Sequence, residues 1–401
     1  GHEAITGQIN LEHRKPTDDE RFFLNLYFDS ELRPEINVSS AIPLTKDKSL
    51  STVIMAHGSL DTAQHDMNND GFADMPKANQ INVANKWLWQ NSDGIQLRWG
   101  WKVVNENRLG GKKGYTKDLY EDMMQGLKPD TYGSAIHNRN INAYAKLGIP
   151  VGYERTFTGD PNDAVQNNVA MIFDYDNYLT DSYFGRSKVD VMENTFRFNA
   201  TYAHYFTQRS SLNAGASFYA RMMGDTYSHF GAKDDDNNVW NLTNNGRLME
   251  PGIFAEYTYQ LDEKFSLVAG IRGDYALASD DYYVKSEEAR NKLLITPRTH
   301  IKWSITPRTT LRASAGLGYR RQNLITDNIW MMTTSREIIN LDGLKDDMEA
   351  AATFGGSLSQ TFNLAGDDQA TISVDYFRTQ FFNTMVFDQE TSDNTILIYN
   401  T

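Results

Sequence analysis

The chain has 401 residues, a formal net charge of −13 and no cysteine. Such acidity argues against nucleic acid as a partner, because no basic face is available to neutralise phosphates, and the missing thiols suit passage through an oxidising compartment. Mean hydropathy is −0.56 and no apolar run approaches the roughly 18 residues of a transmembrane helix, yet strands that alternate apolar and polar residues cross a bilayer while averaging out as hydrophilic.

In chain order, period-two alternation begins at FFLNLYFD, where Phe22, Leu24, Leu26 and Phe28 share one face and Asn25, Tyr27 and Asp29 the other. It returns in LNAGASFYAR, with Leu212, Ala214, Ala216, Phe218 and Ala220 opposite Asn213, Ser217, Tyr219 and Arg221. FSLVAGIRGD sets Phe265, Leu267, Ala269 and Ile271 against Ser266, Val268, Gly270 and Arg272, and ATISVDYFR sets Ala370, Ile372, Val374 and Tyr376 against Thr371, Ser373, Asp375 and Phe377. Successive strand side chains point to opposite faces, so this is the strand signal. Roughly 17 such segments can be counted. They run to about ten residues or more, longer than strands of soluble sheets and suited to a tilted strand crossing a bilayer. Aromatic residues make up 12% of the chain, as the girdles of a membrane barrel require.

The connections carry a second signal. Short turns at 44–49, 90–94, 208–211, 261–264 and 306–308 alternate with long polar stretches at about 61–79, 104–137, 222–246, 275–291 and 322–347. Outer-membrane barrels have this asymmetry, with short periplasmic turns and long extracellular loops. Around 149–167 the pattern breaks, with a long connection where a short turn is expected. The expected fold is all-β: a transmembrane antiparallel β-barrel. An odd strand count would leave an unpaired edge in lipid, so final strands are expected to be missing from this chain, which opens on Gly1 and ends just after TILIY.

One loop has metal-binding spacing. In DMNNDGFAD, Asp66, Asn68, Asp70 and Asp74 occupy positions 1, 3, 5 and 9 of a calcium loop, the Phe72 carbonyl position 7, and Gly71 the sharp turn. Position 12, where a bidentate acid belongs, is Lys77. The competing reading is a polar loop of Asx turns.

Other candidates are weaker. Tyr227, His229 and Trp240 in one loop, and Trp330, Met331 and Met332 in another, are placed to meet an apolar or ring-shaped ligand or to pack loops together. His229 is the best-placed histidine for a metal or haem. The DDDNN run in the same loop reads as solvated. Arg197, Arg272, Glu256 and Asp375 fall on the polar phase of strands and are expected as lumen-facing ion pairs. There is no HExxH, GxSxG or P-loop, and GLGYRR and TFGGSL fall in strand patterns, so no enzyme is expected.

Three segments resemble a known family. GHEAITGQINLEHRKP, with Gly1, Ala4, Gly7, Ile9 and Asn10, is similar to the end of the plug domain of TonB-dependent outer-membrane receptors, just before the first barrel strand. GIRGDY (270–275) resembles the family's Gly-x-Arg-x-Asp-aromatic strand, and ITPRTHIKWSITPRTTLRASAGLGYRR (295–321) its Pro-Arg and Thr-x-Leu-Arg hairpin. The resemblance implies residues 1–16 as the end of a plug and 17–401 as part of a barrel of about 22 strands, a lumen too wide for side chains to fill. The signal peptide, energy-coupling box, most of the plug and the closing strands are not in this chain.

The resemblance further implies a bacterial outer-membrane importer of a scarce metal-containing nutrient, driven by TonB, in contact with outer-membrane lipid and, as in some relatives, capped by a surface lipoprotein. Cobalamin receptors of the family carry calcium-binding acids near the second extracellular loop. That favours structural calcium at Asp66, Asn68, Asp70 and Asp74, and cobalamin as cargo ahead of a ferric siderophore or haem. Rivals from other classes are a secreted calcium-dependent carbohydrate-binding β-protein and a passive porin. The long strands and the plug-like start argue against them.

Overall fold

The computed structural model describes residues 14–17, 20–119, 131–156, 164–230, 239–262, 264–284, 286–333, 336–364, 368–393 and 395–401. The plug-end motif of Gly1, Ala4, Gly7 and Asn10 lies outside the described residues.

Nineteen strands follow in order: β1 Phe23–Tyr27, β2 Glu35–Pro43, β3 Leu50–Asp61, β4 Lys77–Gln90, β5 Gln96–Gly111, β6 Gly133–Arg155, β7 Val165–Phe184, β8 Ser187–Thr207, β9 Ser210–Phe230, β10 Val239–Asn244, β11 Arg247–Gln260, β12 Phe265–Ala278, β13 Lys292–Thr306, β14 Thr309–Arg321, β15 Glu337–Gly343, β16 Met348–Asn363, β17 Gln369–Asn383, β18 Met385–Asp388 and β19 Thr395–Asn400. All but β15, β18 and β19 form one 16-stranded sheet in which each strand pairs with its neighbours along the chain, β10 folding back on β9. The excluded three form a small sheet in the order β15-β19-β18. Among the described residues the wall is open, with β1 and β17 as edges that do not pair with each other.

The wall is inverted relative to a soluble protein. Ile81, Ile253, Ile271, Trp303 and Phe354 all point out and are exposed. Their neighbours in the other phase point inward and pair: Arg197 with Asp174 at 3.0 Å, Arg272 with Asp274 at 2.5 Å and Arg298 with Glu256 at 2.5 Å. An apolar outer face of this extent is unfavourable in water at about 25 cal/mol per Å² and favourable in lipid. Near the short turns the outer face carries aromatics. Trp87 and Trp99 stack across β4 and β5 with centroids 5.6 Å apart, and Phe206 meets Tyr257 at 6.5 Å. These are the girdle residues of a membrane barrel. Asp375 shares the inward phase, on edge strand β17, but has no ion-pair partner among the described residues.

Several loop boundaries differ from the sequence expectation. β6 to β9 are 20 to 23 residues long, about twice what a bilayer needs, so they stand proud of the membrane at the long-loop end. The expected loop at 222–246 is therefore largely strand, the end of β9 and all of β10. A two-residue turn at Gly185 and Arg186 joins β7 to β8 at the same end, where a long loop would be expected; a residue with a side chain at position 185 would be strained at φ +55 and would meet the Tyr132 ring at 2.8 Å. The long connection expected at 149–167 shrinks to 156–164, because β6 runs to Arg155 before β7 begins at Val165.

Candidate functional site

Two features stand at the long-loop end, both built from side chains the topology brings together. The first is a cap over the mouth. The segment after β14 turns inward through a 3-10 run, Thr326–Thr333. Its root is held by the wall: Asn323 Nδ2 donates to Glu193 Oε1 at 2.7 Å and to Asp225 Oδ2 at 2.9 Å. Arg221 forks onto the same Glu193, with contacts of 2.6 to 3.1 Å. Asp225 is fully buried and its Oδ1 has no hydrogen-bond partner. Two carboxylates thus share one guanidinium and one amide in a buried setting, a costly arrangement that survives only when all its members are held in place.

Beyond this polar root lies an apolar core. Val189, Val191 and Tyr227 from the β8–β9 wall pack with Leu324, Ile325 and Met331 of the inward segment and with Met385, Ile396 and Ile398 from the small sheet. Tyr227 is 1% exposed and His229 is 6% exposed, and the Ser187 hydroxyl sits 3.0 Å from His229 Nδ1 and 3.1 Å from the Tyr227 hydroxyl. These two residues, expected to meet ligand, are instead interior groups of the cap, and Met331 is buried with them. The side chains of Trp240, Trp330 and Met332 lie outside the described residues.

The second feature is the acidic loop between β3 and β4. Asp66 accepts the amides of Asp70 at 3.0 Å and Gly71 at 3.1 Å, Asp70 accepts that of Phe72 at 2.8 Å, and Asp74 accepts that of Met67 at 2.8 Å. Asn68 bridges to the Asp70 carboxylate at 2.8 Å. Asn69 at φ 58 and Gly71 at φ 87 turn the chain. The Gly71 carbonyl is taken by the Lys113 amide at 2.8 Å, which docks the loop on the stretch after β5. The Phe72 amide and the Asn68 side chain hold the Asp70 carboxyl below its usual range. Asp66, Asn68, Asp70, Phe72 and Asp74 are thus brought into one turn, with the carboxylates capping amides. Among the described residues no three His, Asp or Glu side chains converge as a metal cage.

Within the wall, a cavity of about 680 Å³ opens on the lumen face of β2 to β6 and is lined by Asn37, His57, Asn82, Lys86, Lys102 and Tyr144. This polar, cationic lining belongs to a wide lumen and not to a packed core.

The comparisons with known proteins decide the family. The model of the TonB-dependent receptor-like β-barrel matches residues 57–401. The chain belongs to that family. No curated protein matches the sequence. Among solved structures, the siderophore receptor PiuA from Acinetobacter baumannii is 12% identical with a TM-score of 0.60, over 94% of this chain and 59% of that one. The ferric-catecholate import receptor Fiu from K12 E. coli is 12% identical with a TM-score of 0.57, over 98% and 62%. The copper transporter OprC is 13% identical with a TM-score of 0.59, over 95% and 56%. At such identity the likeness is one of fold, and this chain spans little more than half the length of those receptors. TonB-dependent receptors are outer-membrane β-barrels, and the apolar outer face of this wall is the face such a barrel turns to lipid.

Sequence reasoning missed the residues that hold the cap, Glu193, Asp225 and Asn323. Glu193 and Asp225 did carry a signal, as acids on the inward phase of strands. Asn323 lies 130 and 98 positions from them in the chain, so no local pattern links the three.

Proposed function

We propose that the receptor to which this chain belongs imports a scarce, metal-bearing nutrient across the outer membrane, energised through TonB. The observation that carries this reading is the capped mouth above a wide polar lumen. A passive pore leaves its mouth open, whereas a high-affinity importer binds cargo at the outside and admits it only when driven. In the full receptor a plug and further strands would fill and close the barrel.

A ferric siderophore is the leading cargo. The lumen lining with Lys86 and Lys102 suits an anionic chelate, and receptors of similar fold include ones for siderophores. Cobalamin is the second reading, favoured by the spacing of Asp66, Asn68, Asp70 and Asp74. A calcium ion there would have to draw three carboxylates together at the expense of the amide bonds they now accept. A surface lipoprotein partner has no support beyond the family resemblance.

The test is a tryptophan-fluorescence titration of the complete, detergent-purified receptor with a panel of ferric siderophores and with cyanocobalamin, with inner-filter controls and with calcium present or chelated. Tight binding of a ferric siderophore, insensitive to chelation, supports the leading cargo. Tight cobalamin binding that weakens on chelation replaces it with the second. Rapid, unsaturable passage of small solutes through the reconstituted protein, with no tight ligand, would show a pore.

A further inference from the structure

The outer face of β4 to β8 changes character above its apolar belt. Ile81 and Met192 lie on the lipid-facing phase and are 62% and 52% exposed. The register runs from Ile81 to Asn105, Arg139, Leu179 and Met192 across five strands. Arg139 therefore faces outward in a row that begins and ends on lipid-facing apolar side chains. It is exposed and has no hydrogen-bond or ion-pair partner among the described residues. A lone guanidinium in hydrocarbon is strongly disfavoured, and the penalty falls towards the headgroup level.

Just above it the stretch after β5 folds back over the outside of the wall. Tyr115 is buried against Tyr183, and Lys117 Nζ reaches Asp181 Oδ2 at 3.1 Å. Gly133 makes room for this, since a Cβ there would lie 2.3 Å from the Tyr115 ring. Under the shelf is a cavity of about 470 Å³ bordered by Lys77, Asn79 and His137. It shares His137 and Asp181 with a second of about 350 Å³, which continues past Arg139, Leu179 and Met192 over the bare Gly224. The acids of this face are engaged: Asp181 by Lys117 and Lys188, and Asp190 by Lys188 at 2.6 Å. Lys77 and Arg139 are left as surplus positive charge bordering an apolar wall.

We infer that this shelf is a binding site for the phosphorylated headgroup of an outer-leaflet glycolipid, with Arg139 and Lys77 taking phosphate and the Leu179–Met192 surface taking the acyl chains. Charge complementarity and continuity with the lipid-facing belt select a membrane lipid as the occupant. The inference rests on the outer-membrane wall and is independent of the cargo.

The test uses native mass spectrometry of the full receptor released from nanodiscs of neutral phospholipid doped with lipid A, and separately with dephosphorylated lipid A. Wild type is expected to retain lipid A and to discriminate against the dephosphorylated form. The Lys77→Gln/Arg139→Gln double variant is expected to retain about thirtyfold less, at roughly fivefold for each basic side chain at an anionic lipid surface, and Arg139→Lys to stay near wild type. Retained heat-modifiable mobility on gels shows that the variants fold. Equal retention of both lipids, or equal retention by wild type and the double variant, overturns the site. Displacement of the lipid by millimolar inorganic phosphate would assign the site to free phosphate and likewise overturn it.

Discussion

Arg321 and Asp347 close the wall where β14 and β16 leave it. Arg321 Nη1 donates to both Asp347 oxygens, at 2.8 and 3.1 Å, and the two side chains are 2% and 0% exposed. The Tyr282 hydroxyl also donates to Asp347, and Arg321 Nη2 reaches the Ala289 carbonyl at 3.3 Å. One ion pair thereby ties the loop between β12 and β13 to the roots of the cap segment. Removing one partner of a buried pair leaves an uncompensated charge, at a cost of about 3–5 kcal/mol. Asp347→Ala is expected to loosen 279–291 and 322–347 together, seen as faster amide exchange in both. Arg321→Met/Asp347→Leu should recover most of the loss, because a buried pair replaced by apolar groups is often neutral. Exchange confined to one segment would show that the pair does not couple them.

Gly252 tests the lumen register. It lies opposite Asp274, and a Cβ on it would fall 2.0 Å from Asp274 Oδ1 and 2.9 Å from Arg272 Nη2. Those atoms have little freedom, since Arg272 is bonded to Asp274 at 2.5 and 2.6 Å and to Ser217 at 2.6 Å. Gly252→Ala should cost about 1–3 kcal/mol, the range for overpacking, read as a lower thermal midpoint of the β-sheet circular dichroism signal in detergent. Gly273→Ala, with nothing within 4 Å of its Cβ, is the control and should be close to wild type.

The wall was legible because its pattern is local. In GIRGDY, Ile271 faces out while Arg272 and Asp274 face in, as period two dictates, and the hairpin at 295–321 appears as β13 and β14. The cap was not legible. Tyr227 and His229 look like loop residues in the sequence, yet β9 continues through them as part of an extension that has water outside and the cap inside. Their burial depends on Leu324, Ile325, Ile396 and Ile398, which arrive from far along the chain. The acidic loop was half legible. Its turn formed around Asp66, Asn68, Asp70 and Asp74, but the same spacing that suits a cation also suits Asx-type capping of amides, and spacing alone does not separate them.

The pH dependence of that loop follows from Asp70. Its carboxyl is held below its ordinary range by the Phe72 amide and Asn68, so the folded loop favours the ionised form. The stabilisation is present above the unfolded value, near pH 4, and is lost as pH falls through the lower folded value. Amide exchange of Asp70, Gly71 and Phe72, corrected for intrinsic rates, should be flat from pH 7 to 5 and should lose protection below about pH 4. Asp70→Asn should remove that acid step. A calcium ion bound there would add protection at neutral pH that chelation removes, and the same experiment with and without chelator reads this directly.

The hold of the cap on the wall rests on Asn323. Its single amide nitrogen spans Glu193 and Asp225, and its Oδ1 accepts the Ile325 amide at 2.8 Å. Asn323→Ala leaves Glu193 with Arg221 but strips Asp225 of the partner its Oδ2 has. An unsatisfied buried acceptor costs about 1–3 kcal/mol, more for a charged one. Asn323→Asp is worse, since it sets a third carboxylate against two with one arginine between them. Both variants should speed limited proteolysis within 322–347 while leaving the heat-modifiable barrel intact, with the Asp variant the faster. Because the cap closes the mouth, each should also raise the rate at which small solutes leak through the reconstituted receptor. Wild-type proteolysis in Asn323→Asp would show that the apolar core of Leu324, Ile325 and Met331 holds the cap without the polar root.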